Sequence, residues 1–140
     1  MSLRSCMEKA NSKAGKSAPS HVKQVVMIAR IWHGFTMPED ADKYEKMLRE
    51  TILPRIGRVS GFKGAQLLRR NHKTESEFTM VTYFENLKAV IAFAGEDYTK
   101  AVVEPEARKL LTRCNIRAAH YDLVDMIASD DFLKLAHSTV

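Results

Sequence analysis

Four side chains that can do acid–base or aromatic chemistry lie on two strand-like stretches of the sequence. Arg30, Trp32 and His33 interrupt the apolar run 24–34, and His120 lies in the run 117–124. A guanidinium can stabilise an oxyanion, and an indole can stack on a flat aromatic ligand. A neutral imidazole, with an ordinary pKa of about 6.5, can accept a proton near neutral pH. The residue types therefore suit deprotonation of an aromatic compound, with His120 as base and Arg30 beside the anion.

Each of these side chains also has a structural interpretation. Trp32 can be a core residue, and His120 can be a buried histidine bonded to a carboxylate or a carbonyl. Arg30 can pair with Asp122. Trp32 and His33 are neighbours on one strand, so they face opposite sides and share a small pocket only if the strand bends.

The first stretch is predicted to be the central strand of a sheet. Its apolar residues fall on both faces, with Met27, Ala29 and Ile31 on one and Ile28 and Trp32 on the other. A strand of this type is covered on both sides. Buried polar groups on it need partners, so they belong either to a polar network or to the wall of a pocket.

The remaining elements follow from periodicity and from turn residues. Strands are expected at 25–36, 62–70, 77–85 and 117–124, and the polar segment 71–76 predicts a hairpin between the second and third. One helix is expected from Pro38 to about Leu53, where Pro54 should end or kink it, and another over 87–94 between an Asn86 cap and Gly95. Residues 96–103 are predicted to be partly helical, and a short helix runs from Pro105 to Leu111.

This order, β-α-β-β-α-β, predicts an α+β, ferredoxin-like domain with a four-stranded antiparallel sheet in the order 4-1-3-2. Its limits are expected at 24–125, between a mobile basic tail at 1–23 and an amphipathic C-terminal extension at 126–140. The helices cover one sheet face only. The other face, with residues such as Met80 or Val81, is left apolar and open, which favours a homodimer.

Composition limits the class of protein. The formal charge of +5 is concentrated in residues 1–23, and the rest of the chain has a net charge of +1. Two cysteines make no disulfide framework, and no apolar run reaches the roughly 18 residues of a membrane span. We therefore expect a cytoplasmic protein that binds neither nucleic acid nor membrane. The sequence has no metal-ligand spacing such as HExxH and no glycine-rich phosphate loop, so neither a metal nor a nucleotide cofactor is expected.

Four blocks of the sequence resemble the antibiotic biosynthesis monooxygenase family, whose members are dimeric α/β-barrel proteins. They are Ile31-Trp-His-Gly34, Phe93-Ala-Gly-Glu-Asp-Tyr98, Val102-Val-Glu-Pro-Glu-Ala107 and Ala118-Ala-His-Tyr121. The resemblance covers about residues 24–125. It implies a homodimer whose paired sheets form a barrel, with a cavity between sheet and helices that Tyr44 and Tyr98 would rim.

The resemblance also implies one of two chemistries. Cofactor-free members deprotonate a phenolic or polycyclic substrate, which then reacts directly with oxygen. The haem-degrading branch uses an axial histidine on a helix, and no helix predicted within 38–111 carries one. The sequence therefore predicts a cofactor-independent monooxygenase acting on a small aromatic or enolisable compound. His120 and Arg30 would be catalytic, and Trp32, His33, Tyr44 and Tyr98 would bind the substrate.

Two binding proteins are the alternatives. The same element order builds the RNA-recognition domain, but the third strand here lacks that domain's glycines and its basic start. A homodimer of the same fold that binds a small apolar ligand without turning it over remains open.

Overall fold

The computed structural model describes residues 27–138, and side chains as far as residue 135. Strand β1 (Met27–Thr36) leads into a 3-10 turn (Pro38–Asp40), helix α1 (Ala41–Met47), a π-helical turn (Leu48–Ile52) and helix α2 (Leu53–Ile56). Strands β2 (Phe62–Asn71) and β3 (Ser76–Phe84) follow. Helices α3 (Leu87–Ala94) and α4 (Pro105–Arg108) precede strands β4 (Leu111–Cys114) and β5 (Ala119–Leu123), and helix α5 (Asp130–Ser138) comes last.

The strands form one antiparallel sheet in the order β2-β3-β1-β4, with β5 also paired to β1. This confirms the α+β, ferredoxin-like fold and the central place of β1. The predicted fourth strand is present as β5, which pairs with the beginning of β1. Strand β4, which the sequence did not predict, pairs with the end of β1. The sheet of the single chain is open, and the helices pack on one face of it.

The core lies between that face and the helices. Its largest fully buried side chains include Tyr44 from α1, Phe78 and Phe84 from β3, and Val90 from α3. Tyr44 meets Phe78 edge to face, with ring centroids 4.9 Å apart. Such aromatic pairs stabilise the packing beyond the area that they bury. Met80, expected on the open face, lies in this core, whereas Val81 points to the open face.

The first helical segment continues past Pro54 to Ile56, with a π turn just before the proline, where the sequence predicted an end or a kink: the Leu53 N–H donates to Leu48 O, five residues back. In this arrangement the missing N–H of Pro54 falls at the start of α2, where it is tolerated. Residues 96–103 are not helical, and the short helix from Pro105 ends at Arg108 instead of Leu111.

Long-range pairing explains the last two differences. Ala118 N–H donates to Thr99 O at 2.7 Å, and Ala101 N–H donates to Ile116 O at 2.9 Å. These bonds take up backbone groups that a helix would have used. Leu111 similarly pairs with Thr36 of β1, so tertiary hydrogen bonds replace the local helical ones.

The ends of the chain are only partly described. The predicted tail at 1–23 lies outside the described residues. Part of the predicted extension forms α5, whose residues Phe132, Leu133 and Leu135 are exposed. Within residues 27–138, the helices are too short or too polar to span a lipid bilayer.

Candidate functional site

A narrow cavity lies between the helix-covered face of the sheet and the first helical segment. Its wall is mostly apolar, and the side chains include Arg30, Trp32, Tyr44, Leu48, Ile52, Ile56, Met80, Thr82, Phe93, Val102, Val103, Glu104 and Ala107. The cavity volume is about 60 Å³. A single water needs roughly 10–15 Å³ on this scale, so there is room for several waters or one ring-sized ligand. A polycyclic compound would require its walls to move.

Arg30 places a cation on the wall of this apolar cavity. The residue is only 4% exposed. Its Nη1 donates to Tyr98 O at 2.5 Å and lies 3.1 Å from His120 Nε2, and its Nη2 donates to Lys100 O at 3.1 Å. Burial lowers the pKa of Arg30, but a guanidinium stays charged in proteins. The predicted pairing with Asp122 does not form: Asp122 is exposed and lies opposite Ile28.

His120 lies behind Arg30 and is absent from the lining of the cavity. Because a guanidinium only donates, Nε2 of His120 must accept this hydrogen bond, which makes the imidazole neutral with its proton on Nδ1. Burial and, second, the charge of Arg30 lower the pKa of His120. Tyr98 packs edge to face on the imidazole at 5.2 Å. The lone pair that a general base needs is thus engaged by Arg30.

Trp32 is held as a fixed wall of the cavity. Its indole N–H donates to Asn115 O at 2.9 Å. Asn115 sits between β4 and β5, where its Oδ1 accepts from His33 N–H and its own N–H donates to His33 O, both at 3.0 Å. The six-membered part of the indole rests on Gly34, where an added Cβ would lie 2.7 Å from a ring carbon. A larger residue than glycine would push the ring aside.

The other predicted site residues are divided among three places. Tyr44 lines the cavity, is 1% exposed, and burial raises the pKa of its phenol, so it can donate a hydrogen bond but does not act as a base. Tyr98 contributes its carbonyl to Arg30 and its ring to His120, behind the cavity wall. His33 points to the open sheet face, where its Nδ1 lies 2.9 Å from Thr79 Oγ1 and 3.4 Å from Glu77. The structure brings Arg30, Trp32 and Tyr44 together and leaves His33 out.

Several lining residues carried no role in the sequence analysis. Phe93 of α3 lies 5.3 Å from the Arg30 guanidinium, measured at its ring centroid. Glu104 immediately precedes α4, and its carboxylate pairs with Arg55. Phe93 and Glu104 belong to the sequence blocks that carry the family resemblance, and this membership is the signal that could have identified them. Asn115 lies outside those blocks, and its contact with Trp32 depends on the break between β4 and β5.

The fold and cavity define a class: an α+β, ferredoxin-like protein with one open sheet face and a small apolar site under its helices. Two solved structures have this fold. One, from Bacillus cereus, is designated a candidate antibiotic biosynthesis monooxygenase; it is 13% identical, with a TM-score of 0.50, over 74% of this chain and 99% of that one. The other is a monooxygenase from the gene ActVA-Orf6 of Streptomyces coelicolor, in complex with nanaomycin D. It is 15% identical, with a TM-score of 0.50, over 76% of this chain and 94% of that one.

The chain therefore has the fold of the antibiotic biosynthesis monooxygenases, as its sequence blocks predicted. No protein-family model matches the sequence, and no curated protein matches it. At this level of identity the likeness concerns the fold.

Proposed function

We propose that this protein is a cofactor-independent monooxygenase that oxidises a small, single-ring phenolic or enolisable compound with O2. The observation that carries this proposal is the buried Arg30 guanidinium on the wall of a narrow apolar cavity, beside the Trp32 indole. The fold is that of proteins named as monooxygenases, one of them in complex with nanaomycin D.

The reaction needs little from the protein. A phenol gives its O–H proton to solvent water and binds as the phenolate, and the anion gives an electron to O2. A carbon–oxygen bond then forms at the para carbon, and one proton converts the peroxide into a hydroperoxide. Loss of water leaves a quinone, so one oxygen atom enters the product and the other leaves as water. All four electrons come from the substrate, which is why no metal, flavin or haem is required.

The geometry supports a role for three residues. Arg30 would stabilise the phenolate, because its charge is buried where water does not screen it. Trp32 would hold the ring by stacking. His120, predicted to be the base, would act instead by fixing Arg30, since its Nε2 faces the guanidinium and not the cavity.

Oxygen uptake and quinone formation with a panel of single-ring phenols that carry hydrogen at the para carbon would test this proposal. We expect turnover by the natural chain, and a loss of about 10²–10³ in kcat/KM in Arg30→Met, as when one transition-state donor is removed. Arg49→Met is the matched control, because Arg49 is exposed and, among the described residues, pairs with Glu45. No oxygen uptake with any compound of the panel would overturn the activity.

A non-catalytic ligand-binding protein is the second candidate, and one observation favours it. Among the described residues lining the cavity, the ionisable side chains are Arg30, Tyr44 and Glu104. Tyr44 holds its proton, and Glu104 is paired with Arg55, so no unengaged base faces a ligand. Saturable binding of an aromatic ligand with no oxygen uptake would select this function.

We infer that the working form is a homodimer joined through the open sheet face. Ala29, Ile31 and Val81 point to this face, and the exposed side chains of Leu68 and Tyr121 flank them. An apolar face of this kind is normally covered by a partner, and a two-fold dimer covers both copies at once. A stable interface of roughly 1,200–2,000 Å² would be needed.

A further inference from the structure

Arg30 is a buried cation without an anionic partner in the described part of the chain. Its three hydrogen bonds go to the Tyr98 and Lys100 carbonyls and to the neutral His120 imidazole. None of the described carboxylates comes within ion-pairing distance of it. Buried charges in proteins are normally paired, because water no longer compensates them. The site therefore has an unmatched positive charge.

The guanidinium also has unused donors. Of its five N–H groups, the two on Nη1 and one on Nη2 are engaged. The Nε–H and the second Nη2–H have no acceptor among the described residues. Arg30 is one of the residues that line the cavity, so a ligand there lies beside its side chain. Two N–H groups on one planar guanidinium match the two oxygens of a carboxylate, or one delocalised oxyanion.

The remainder of the cavity selects a flat, apolar body. Phe93 lies against the guanidinium, and Trp32 and Met80 line the same space. The volume of about 60 Å³ suits one ring and not several. A neutral ligand would leave the charge of Arg30 uncompensated, whereas a planar monoanion would compensate it and still bury its ring.

We propose that the ligand of this cavity is a single-ring aromatic monoanion, with its oxyanion on Arg30 and its ring against Trp32. This inference rests on the proposed function and narrows its substrate class to compounds that bind as oxyanions. His120 is then a positioning residue. It holds Arg30 through Nε2 without touching the ligand.

Binding to the full chain can be followed through Trp32, the one tryptophan in the sequence. Benzoate is the probe, and benzamide is its neutral counterpart of the same shape. We expect benzoate to change Trp32 fluorescence saturably and to bind about tenfold or more tightly than benzamide, as charge-assisted hydrogen bonds predict. Equal affinity for the two compounds, or no saturable response to benzoate at tens of millimolar, would overturn the inference.

Two pairs of variants locate the effect. Arg30→Met should abolish the preference for benzoate, and Arg49→Met should keep it. If Arg30→Met does not fold, Arg30→Gln serves in its place, and the comparison in the natural chain stands without either variant. His120→Gln keeps an acceptor for Arg30 and should retain the preference, whereas His120→Ala should weaken it. Retention of the preference in a folded Arg30 variant would show that another group binds the anion.

Neither probe is oxidised, so this experiment is independent of turnover. If the protein prefers benzoate but consumes no oxygen with phenols, the anion site is supported and the proposed monooxygenase activity is overturned. If it oxidises phenols but shows no preference for benzoate, only the anion site is overturned.

Discussion

Nη1 of Arg30 lies 3.1 Å from Nε2 of His120, a bond that joins residues 90 positions apart in the sequence. The imidazole is neutral in this arrangement, because a protonated His120 would set two cations against each other and offer no acceptor. His120, which the sequence suggested as a base, thus accepts a hydrogen bond from Arg30, which the sequence placed beside the anion.

The first prediction is a pH dependence of stability that arises at His120. Burial and the Arg30 charge lower the folded-state pKa of this histidine below its value of about 6.5 in the unfolded chain. Between the two pKa values the unfolded chain binds more protons, so the free energy of unfolding falls as the pH falls through this range. Arg30, which bonds to His120, keeps its charge throughout this range.

Thermal unfolding between pH 7.5 and pH 5 measures this effect. His120→Gln should lose less in Tm than the natural chain on acidification. Lys73→Gln, a change in the exposed hairpin that removes no histidine, should follow the natural chain. Parallel pH profiles for all three proteins would contradict a neutral, buried His120.

The second prediction concerns the packing of the Trp32 ring on Gly34. Alanine at Gly34 would place a Cβ 2.7 Å from the indole and 3.0 Å from Leu111. We expect Gly34→Ala to cost about 1–3 kcal/mol, as overpacking does, and to shift the fluorescence of Trp32. Gly64→Ala is the control, because its Cβ would meet no atom within 4 Å. Its stability should stay within about 0.5 kcal/mol of the natural chain. Equal stability and identical spectra for the two variants would disprove the close packing.

The third prediction tests the open sheet face. Sedimentation of the natural chain should give about twice its mass of 15.9 kDa. Leu68→Lys places a charge on the open face at a side chain that is 54% exposed, so it should fold and sediment as a monomer. Leu87→Lys is the counterpart at the start of α3, where the leucine is 41% exposed, and should remain dimeric. A monomeric natural chain at micromolar concentration would rule out this interface.

The fourth prediction concerns the helix that carries Phe93 to the cavity. Asn86 caps α3 by accepting a hydrogen bond from Ala89 N–H at 3.0 Å. Asn86→Ala should lower the free energy of unfolding by about 1 kcal/mol, and Asn86→Asp should restore most of it, because Asp also accepts this bond. Lys88→Ala, an exposed change in the same helix, should have little effect. Urea unfolding of the three variants distinguishes a lost cap from a general loss of helix stability.

The sequence alone determined the order of elements from β1 to α3 and the role of β1. Apolar residues on both faces of β1 mark a central strand, because side chains alternate along a strand and each face needs cover. The same alternation separated Trp32 from His33, and the structure places them on opposite faces. Asn86 and Gly95 bounded α3 as predicted, since capping is a local interaction.

Only the tertiary structure decided which partners the polar residues find. The sequence suggested Asp122 as a partner of Arg30, and the register of β5 on β1 sets His120 opposite it instead. The break between β4 and β5 brings the Asn115 carbonyl to the Trp32 indole. Register and strand breaks depend on hydrogen bonds between residues far apart in the chain, whose energies local patterns do not contain. The sequence therefore determined the fold, and the pairing of strands determined the site.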